Sequence, residues 1–203
     1  MFPSYMLKNT SECLKLIEER IRKRKFATIP NTGLYKEASV LIPIFEKEKE
    51  LFILFTKRST NVEHHKGQIS FPGGGVDRSD LSLEHTALRE TYEEIGIKEE
   101  DVRLLGRVDD VITYASGYIV HPFVGVIPYP YEFKINKIEV EKILSVPISF
   151  LFKDGSARFR SIYYDGKLYN SIVYEYNGNI IWGATARIVK NFIDIISGRS
   201  SVG

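Results

Sequence analysis

A single cysteine, Cys13, occurs in 203 residues, so no disulfide can form within the chain, and a reducing compartment suits it. Charge of neither sign prevails. Lys and Arg number 28 against 26 Asp and Glu, a net of +2. Such a balance gives no general field for nucleic acid, so any basic site must be local. Long apolar runs are also missing. A stretch such as "ASVLIPIF" falls far short of the roughly 20 residues that cross a bilayer. The N-terminus lacks the apolar core of a signal peptide, and no repeat or low-complexity linker is visible. These absences lead us to expect a soluble, cytoplasmic protein without nucleic-acid or membrane partners.

The chain is rich enough in apolar residues, 43%, to bury a substantial core, and its length suits one domain with a small appendage. We expect an N-terminal helical segment over 1–30 and the domain proper over 31–203. Residues 10–25, "TSECLKLIEERIRKRK", have Leu14, Ile17 and Ile21 at helical spacing, with Thr10 or Ser11 as a cap. The basic end of that helix reads as a solvated face that complements the helix dipole. Strands are expected at 38–45 and 51–58 with "EKEKE" as the turn between them, and a helix from Ser82 to Ile95 that Gly96 ends. "VRLLGRVDDVIT", "YIVHPFVGVIP" and "KILSVPISFL" add strands. Turns at Asp165-Gly166 and Asn177-Gly178 mark two hairpins, and "ATARIVKNFIDIIS" closes the chain as an amphipathic helix. Strands flanked by a few helices imply an α/β fold, a mixed sheet covered by helices. Trp182 reads as core.

The segment from Phe71 to Ile97, "FPGGGVDRSDLSLEHTALRETYEEIGI", carries the chemistry. At about 100° per residue, Glu90 and Glu94 lie within about 40° of each other on the helix, with Glu93 within about 60° on their other side. Thr86 and Ala87 share that face, while Leu88, Tyr92 and Ile95 are expected to pack on the core. Like charges at this spacing destabilise a helix by a few tenths of a kcal/mol per pair, which a hard divalent cation would relieve. Gly73, Gly74 and Gly75 let the backbone approach a ligand closely, and Pro72 stiffens the entry. Backbone and carboxylates together suit Mg²⁺ or Mn²⁺ held against a phosphate.

These residues resemble the signature box of the Nudix hydrolases, G-x5-E-x7-R-E-U-x-E-E-x-G-U, with U a bulky apolar residue. Arg89-Glu90-Thr91-Tyr92-Glu93-Glu94-Ile95-Gly96-Ile97 matches its second half, with Thr91 in an apolar position. The first half departs: Asp80 stands where a glutamate is usual, and eight residues separate it from Arg89. That form, with Phe71-Pro72-Gly73-Gly74, Asp77, Asp80 and Thr86-Ala87-Leu88-Arg89-Glu90, is similar to the coenzyme A pyrophosphatase branch. So is the upstream "LFTKRSTNVEHHKGQISFPGG". The resemblance covers roughly 38–195.

It implies an α/β/α sandwich around a mixed sheet, and a Mg²⁺- or Mn²⁺-dependent hydrolase of a coenzyme A-like nucleotide. Carried over residue by residue, Glu90, Glu93, Glu94 and the Gly74 carbonyl are the implied metal ligands. Arg89, Glu90 and Glu93 are the implied catalytic residues, with Arg89 orienting the glutamates. A base from a distant loop, Glu139 or Glu141, stays open. Lys57, Arg58, His65 and Gln68 are the implied substrate contacts. ADP-ribose, a dinucleotide or an oxidised nucleotide remain alternative substrates, a non-catalytic nucleotide-binding module an alternative role, and a homodimer an open option.

Overall fold

The computed structural model describes residues 9–59, 67–113, 116–164 and 166–199. Helix α1 (Thr10–Lys23) begins where expected and ends two residues sooner; its cap is Asn9 rather than Thr10 or Ser11, in extended conformation, its side chain accepting from the Glu12 N–H. Cys13, Ile17 and Ile21 are buried in the core shared with the rest of the chain. The basic end of α1 is more than a solvated face: Arg22 pairs with Glu18 at 3.1 Å within the helix, but Arg24 reaches Asp109 at 2.7 Å and Arg20 donates to the Ile196 carbonyl across the fold.

The next two strands, β1 (Lys36–Lys47) and β2 (Glu50–Arg58), form the expected hairpin, with positive φ at Glu48 and Lys49. Two short strands follow, β3 (Ile69–Ser70) and β4 (Gly73–Gly75), then α2 (Leu83–Ile95), β5 (Arg103–Arg107), β6 (Val111–Thr113), β7 (Tyr118–Val126) and β8 (Val140–Pro147). The main sheet runs β3-β2-β1-β7-β5, with β4 on β1, β6 on β7 and β8 on β2. It is mixed, because β1 and β7 run parallel while their other partners are antiparallel. "ISFL", expected to extend β8, instead forms one helical turn, α3 (Ile148–Leu151), where Pro147 lacks an N–H for the ladder and takes the N-cap position without a side-chain bond.

A second sheet contains β9 (Ala157–Tyr164), β10 (Lys167–Tyr176) and β11 (Asn179–Ile181), in the order β11-β10-β9. The two expected hairpins thus share β10. Of their turns, Asn177-Gly178 has the positive φ values expected, while Asp165 lies outside the described residues. Helix α4 (Gly183–Ser197) completes the chain. Alternation along β1 sorts the layers. Ala38, Ile42 and Ile44 pack with α1, α4 and the small sheet, whereas Leu41 and Phe45 face α2 and the loops after it. Trp182 is half-buried rather than core, with Tyr164 and Tyr169 rings 5.3 and 5.6 Å from it.

Candidate active site

Helix α2 is set by its ends. Ser82 accepts from the His85 N–H, and Gly96, at φ 75°, donates to Tyr92 O in a left-handed cap. Its buried face carries Thr86, Ala87, Leu88, Thr91, Glu94 and Ile95. Tyr92, expected against the core, is 56% exposed. The reason is the sheet: Ala87 packs on Leu41 and Phe123, so the small-residue side of the helix, which bears the carboxylates, lies inward. Thr91 fits its apolar position by donating its hydroxyl to Ala87 O at 2.7 Å.

The glycine loop lies beneath that face. Strand β4 pairs with β1, Gly73 opposite Val40 and Gly74 opposite Ser39. A Cβ on Gly74 would stand 2.3 Å from a Glu90 carboxylate oxygen, so only a bare backbone lets Glu90 sit there.

Arg89 holds the acidic groups in place. Its Nε and Nη2 grip Asp80 at 2.7 and 2.9 Å, Nη1 reaches Glu90 at 2.8 Å and Glu93 at 3.2 Å, and Nη2 also reaches the Gly75 carbonyl. The guanidinium drives the Asp80 carboxyl well below the usual carboxylate range, helped by the Asp77 N–H and Thr86 hydroxyl. The aspartate at the unusual position is therefore an anchor for the arginine. Its role was not legible from spacing alone.

Glu94 is 2% exposed, and burial pushes its carboxyl up to about 8 against the pull of Arg58 and the Gly73 N–H. Arg58 Nη1 approaches it to 3.9 Å. Glu94 Oε2, Arg58 Nε and Ser39 Oγ are buried without hydrogen-bond partners. Burial also raises the Glu90 carboxyl. Among the described residues no three carboxylates or imidazoles converge as a ready-made cluster, since Glu90 and Glu93 are drawn to Arg89. The donor set nevertheless fits a hard divalent cation: acidic oxygens only, one of them an orphan in a dry site, beside a backbone cradle.

Of the substrate residues expected, Arg58 lies at this cluster. Lys57 pairs with Glu141 at 2.8 Å and, by strand alternation, shares the side of Ile53 and Phe55, away from Glu94. Gln68 accepts from the Arg58 N–H through its carbonyl, and His65 lies outside the described residues. Glu139 comes close enough to Glu90 and Glu94 for its charge to raise both, whereas Glu141 is tied to Lys57. The loop that carries Glu139 closes on α2, Lys134 N–H to Ile95 O at 3.0 Å and Asn136 N–H to Glu94 O at 2.9 Å.

A Nudix domain model matches residues 35–141, the stretch that supplies β1, the glycine loop, α2 and the Glu139 loop. The chain belongs to the Nudix hydrolase family. It is 37% identical over 154 residues to the uncharacterized Nudix hydrolase NudL of Photorhabdus laumondii, covering 76% of this chain and 81% of that one. The NudL of Escherichia coli strain SMS-3-5 is 33% identical over 156 residues, 77% and 80% of the two chains. Among solved structures, a MutT/nudix family protein from Enterococcus faecalis superposes with a TM-score of 0.55 at 14% identity, over 87% of this chain and 66% of that one. A C. elegans Ap4A hydrolase gives 0.52 at 13%, over 80% and 98%. Among the described residues no helix is long and apolar enough to cross a membrane.

Proposed function

We propose that the chain hydrolyses the pyrophosphate bond of coenzyme A or its derivatives, giving 3′,5′-ADP and 4′-phosphopantetheine. The observation that carries the hydrolytic reading is the buried Glu94, with an unpartnered oxygen beside a glycine backbone that admits Glu90. Coenzyme A is favoured by "TKRS", "HKGQ" and "FPGG" in their spacing, read with the similarity to that branch. Glu90, Glu93, Glu94 and the Gly74 carbonyl would hold Mg²⁺ or Mn²⁺. When bound, the cation polarises phosphoryl oxygens and lowers the pKa of water. Arg89 positions Glu90 and Glu93 through its grip on Asp80. Glu93, the most exposed of the three carboxylates, receives the proton of the attacking water. Water adds to one phosphorus, and the bridging P–O bond breaks. Arg58, at the end of β2 beside Glu94, meets substrate phosphate with its part-exposed guanidinium, His65 and Gln68 belong to the substrate-binding loop, and Lys57, on the other side of β2, would contribute a second cation.

The test is product identification after incubation with coenzyme A and Mn²⁺, beside 3′-dephospho-coenzyme A and ADP-ribose. A paired charge contact to the 3′-phosphate predicts roughly tenfold to a hundredfold higher kcat/KM for coenzyme A than for the dephospho form. Arg58→Met or Lys57→Met should erase that preference at the residue that makes the contact. Equal kcat/KM for the two substrates in the wild type overturns the coenzyme A reading and leaves ADP-ribose or a dinucleotide.

A further inference from the structure

Strand β9 is an edge of the small sheet, with one neighbour, β10, among the described residues. It runs eight residues, and no bulge or proline interrupts it. Phe159 and Tyr163 are each 75% exposed, and Leu168, which pairs with Tyr163 across the hairpin, is 66% exposed. All three share one face of the hairpin, the face whose other end buries Tyr174 in the core. An unpaired strand edge flanked by apolar side chains is a template for another strand.

We propose that β9 pairs with β9 of a second copy, antiparallel about a two-fold axis through Ser161. The strand's own sequence selects both occupant and register. With the axis perpendicular to the sheet, each face meets itself, so opposed residues have the same parity. Centring on Ser161 sets Phe159 against Tyr163 twice, Arg160 against Ile162 and Arg158 against Tyr164. Centring on Arg160 opposes two arginines and leaves Phe159 against serine. Centring on Ile162 sets Tyr163 against serine and Phe159 beyond the partner strand. Only the Ser161 register makes two aromatic cross-strand pairs without opposing like charges, and such pairs are what stabilise a ladder.

The charges that would guard this edge are partly spent already. Arg160 is held by Glu175 at 3.1 Å within its own sheet, and Arg158 donates to Gly155 O. The result is a six-stranded sheet, β11-β10-β9 continued through the axis, with a stripe from Leu168 through Tyr163 to the partner's Phe159. The three exposed side chains amount to roughly 400 Å² of apolar surface per copy. Across two copies, with backbone and arginine stems, this reaches the low end of specific interfaces. The dimer is therefore reversible and concentration-dependent.

Sedimentation velocity on the full chain, from low micromolar to several hundred micromolar, should show a monomer passing to a dimer. Phe159→Glu should stay monomeric with an unchanged melting temperature, because the side chain it replaces is exposed. Register is read by disulfide capture. Opposed residues of an antiparallel pair lie within reach of a disulfide, whereas diagonal ones, roughly 7–8 Å apart, do not. Ser161→Cys should give a covalent dimer under oxidised glutathione, and Arg160→Cys should not. Cys13, 1% exposed, stays silent. A monomer at every concentration overturns the proposal, as does a dimer that survives Phe159→Glu. A covalent dimer from Arg160→Cys but not Ser161→Cys overturns the register.

Discussion

Gly73 and Gly74 are neighbours that should fail in different ways when given a methyl group. At Gly74 the new Cβ would meet Glu90 Oε2 at 2.3 Å, its carboxyl carbon at 2.5 Å and Oε1 at 2.9 Å. Everything in the way is the end of one flexible side chain. Glu90 can rotate clear at the loss of its 2.8 Å bond to Arg89, which retains Asp80. A charge-assisted bond at a partly exposed site is worth about 1 kcal/mol net, a fall of roughly 2–4 °C in Tm for a chain of this size. Activity should respond far more under the proposed function, because Glu90 leaves the place from which it would hold the metal. Misplacement on the order of 1 Å costs roughly a hundredfold.

At Gly73 the obstacles are Ser39 O at 2.3 Å and Val40 Cα at 2.6 Å, both backbone, and φ is +146°. Neither rotates away, so Gly73→Ala must part the β4–β1 ladder at a cost of about 3 kcal/mol or more. Gly75→Ala, whose Cβ meets nothing within 4 Å, is the silent control. Thermal melts of the three variants beside a Mg²⁺ titration of turnover separate these outcomes. Wild-type turnover and Mg²⁺ dependence in Gly74→Ala would refute the reasoning. So would a loss of Tm as large as that of Gly73→Ala.

Two carboxylates should bend the pH dependence of stability in opposite directions. The Glu94 carboxyl is raised to about 8 in the folded state, so the fold binds its proton more tightly and metal-free protein loses stability as pH climbs from 4.5 toward 8. The loss is on the order of 3 kcal/mol by pH 7. Glu94→Gln should flatten that fall in chelator-treated protein while abolishing most turnover; a fall of the same size in the variant would count against it. The Asp80 carboxyl is lowered by Arg89, so its contribution is present above its unfolded value of 3.8 and is lost as pH drops below it. Asp80→Asn, which forfeits two charge-assisted bonds, should cost roughly 2–4 kcal/mol at neutral pH in urea unfolding, and progressively less as pH falls below 3.8 toward the depressed folded-state value. Burial pushes the Cys13 thiol up to about 11, so at pH 8 a thiol reagent should label it only after denaturant is added.

How much was legible follows from how local each signal is. The hairpin at Glu48 and Lys49, the capped helix from Ser82 to Gly96 and the α/β layering depend on short-range pattern, and each appeared as expected. Tyr92 was misplaced because a helical wheel gives angles but no reference direction. Glutamates look like a solvent face until the small residues beside them are found against the sheet. The helical turn at Ile148 was hidden because apolar residues after a proline suit strand and helix alike. In the site, Glu90, Glu93, Glu94 and Gly74 were readable as a pattern. The Asp80 anchor was quoted without a role, because its partner is reached through a turn whose geometry no spacing records. The divergence of Lys57 from Arg58 follows from strand alternation. That rule becomes informative only once it is known which side of β2 holds Glu94.

The loop over the end of α2 has a consequence for how this chain can change by descent. Its path is fixed by main-chain groups: the Lys134 and Asn136 N–H groups satisfy the last carbonyls of the helix, and the Ser59 N–H binds Glu139 O. Gly96 is needed for the same closure, because a Cβ there would stand 2.7 Å from Lys134 Cβ. These bonds need no side chain; Asn136 adds its own, Oδ1 accepting from the Ile138 N–H and Nδ2 donating to Glu139. Ile138, 74% exposed, and the lysines at 134 and 137 can therefore be exchanged almost at will while Glu139 stays beside the helix carboxylates. A course set by backbone bonds leaves the exposed side chains of the loop free to vary while the carboxylates behind it keep their places.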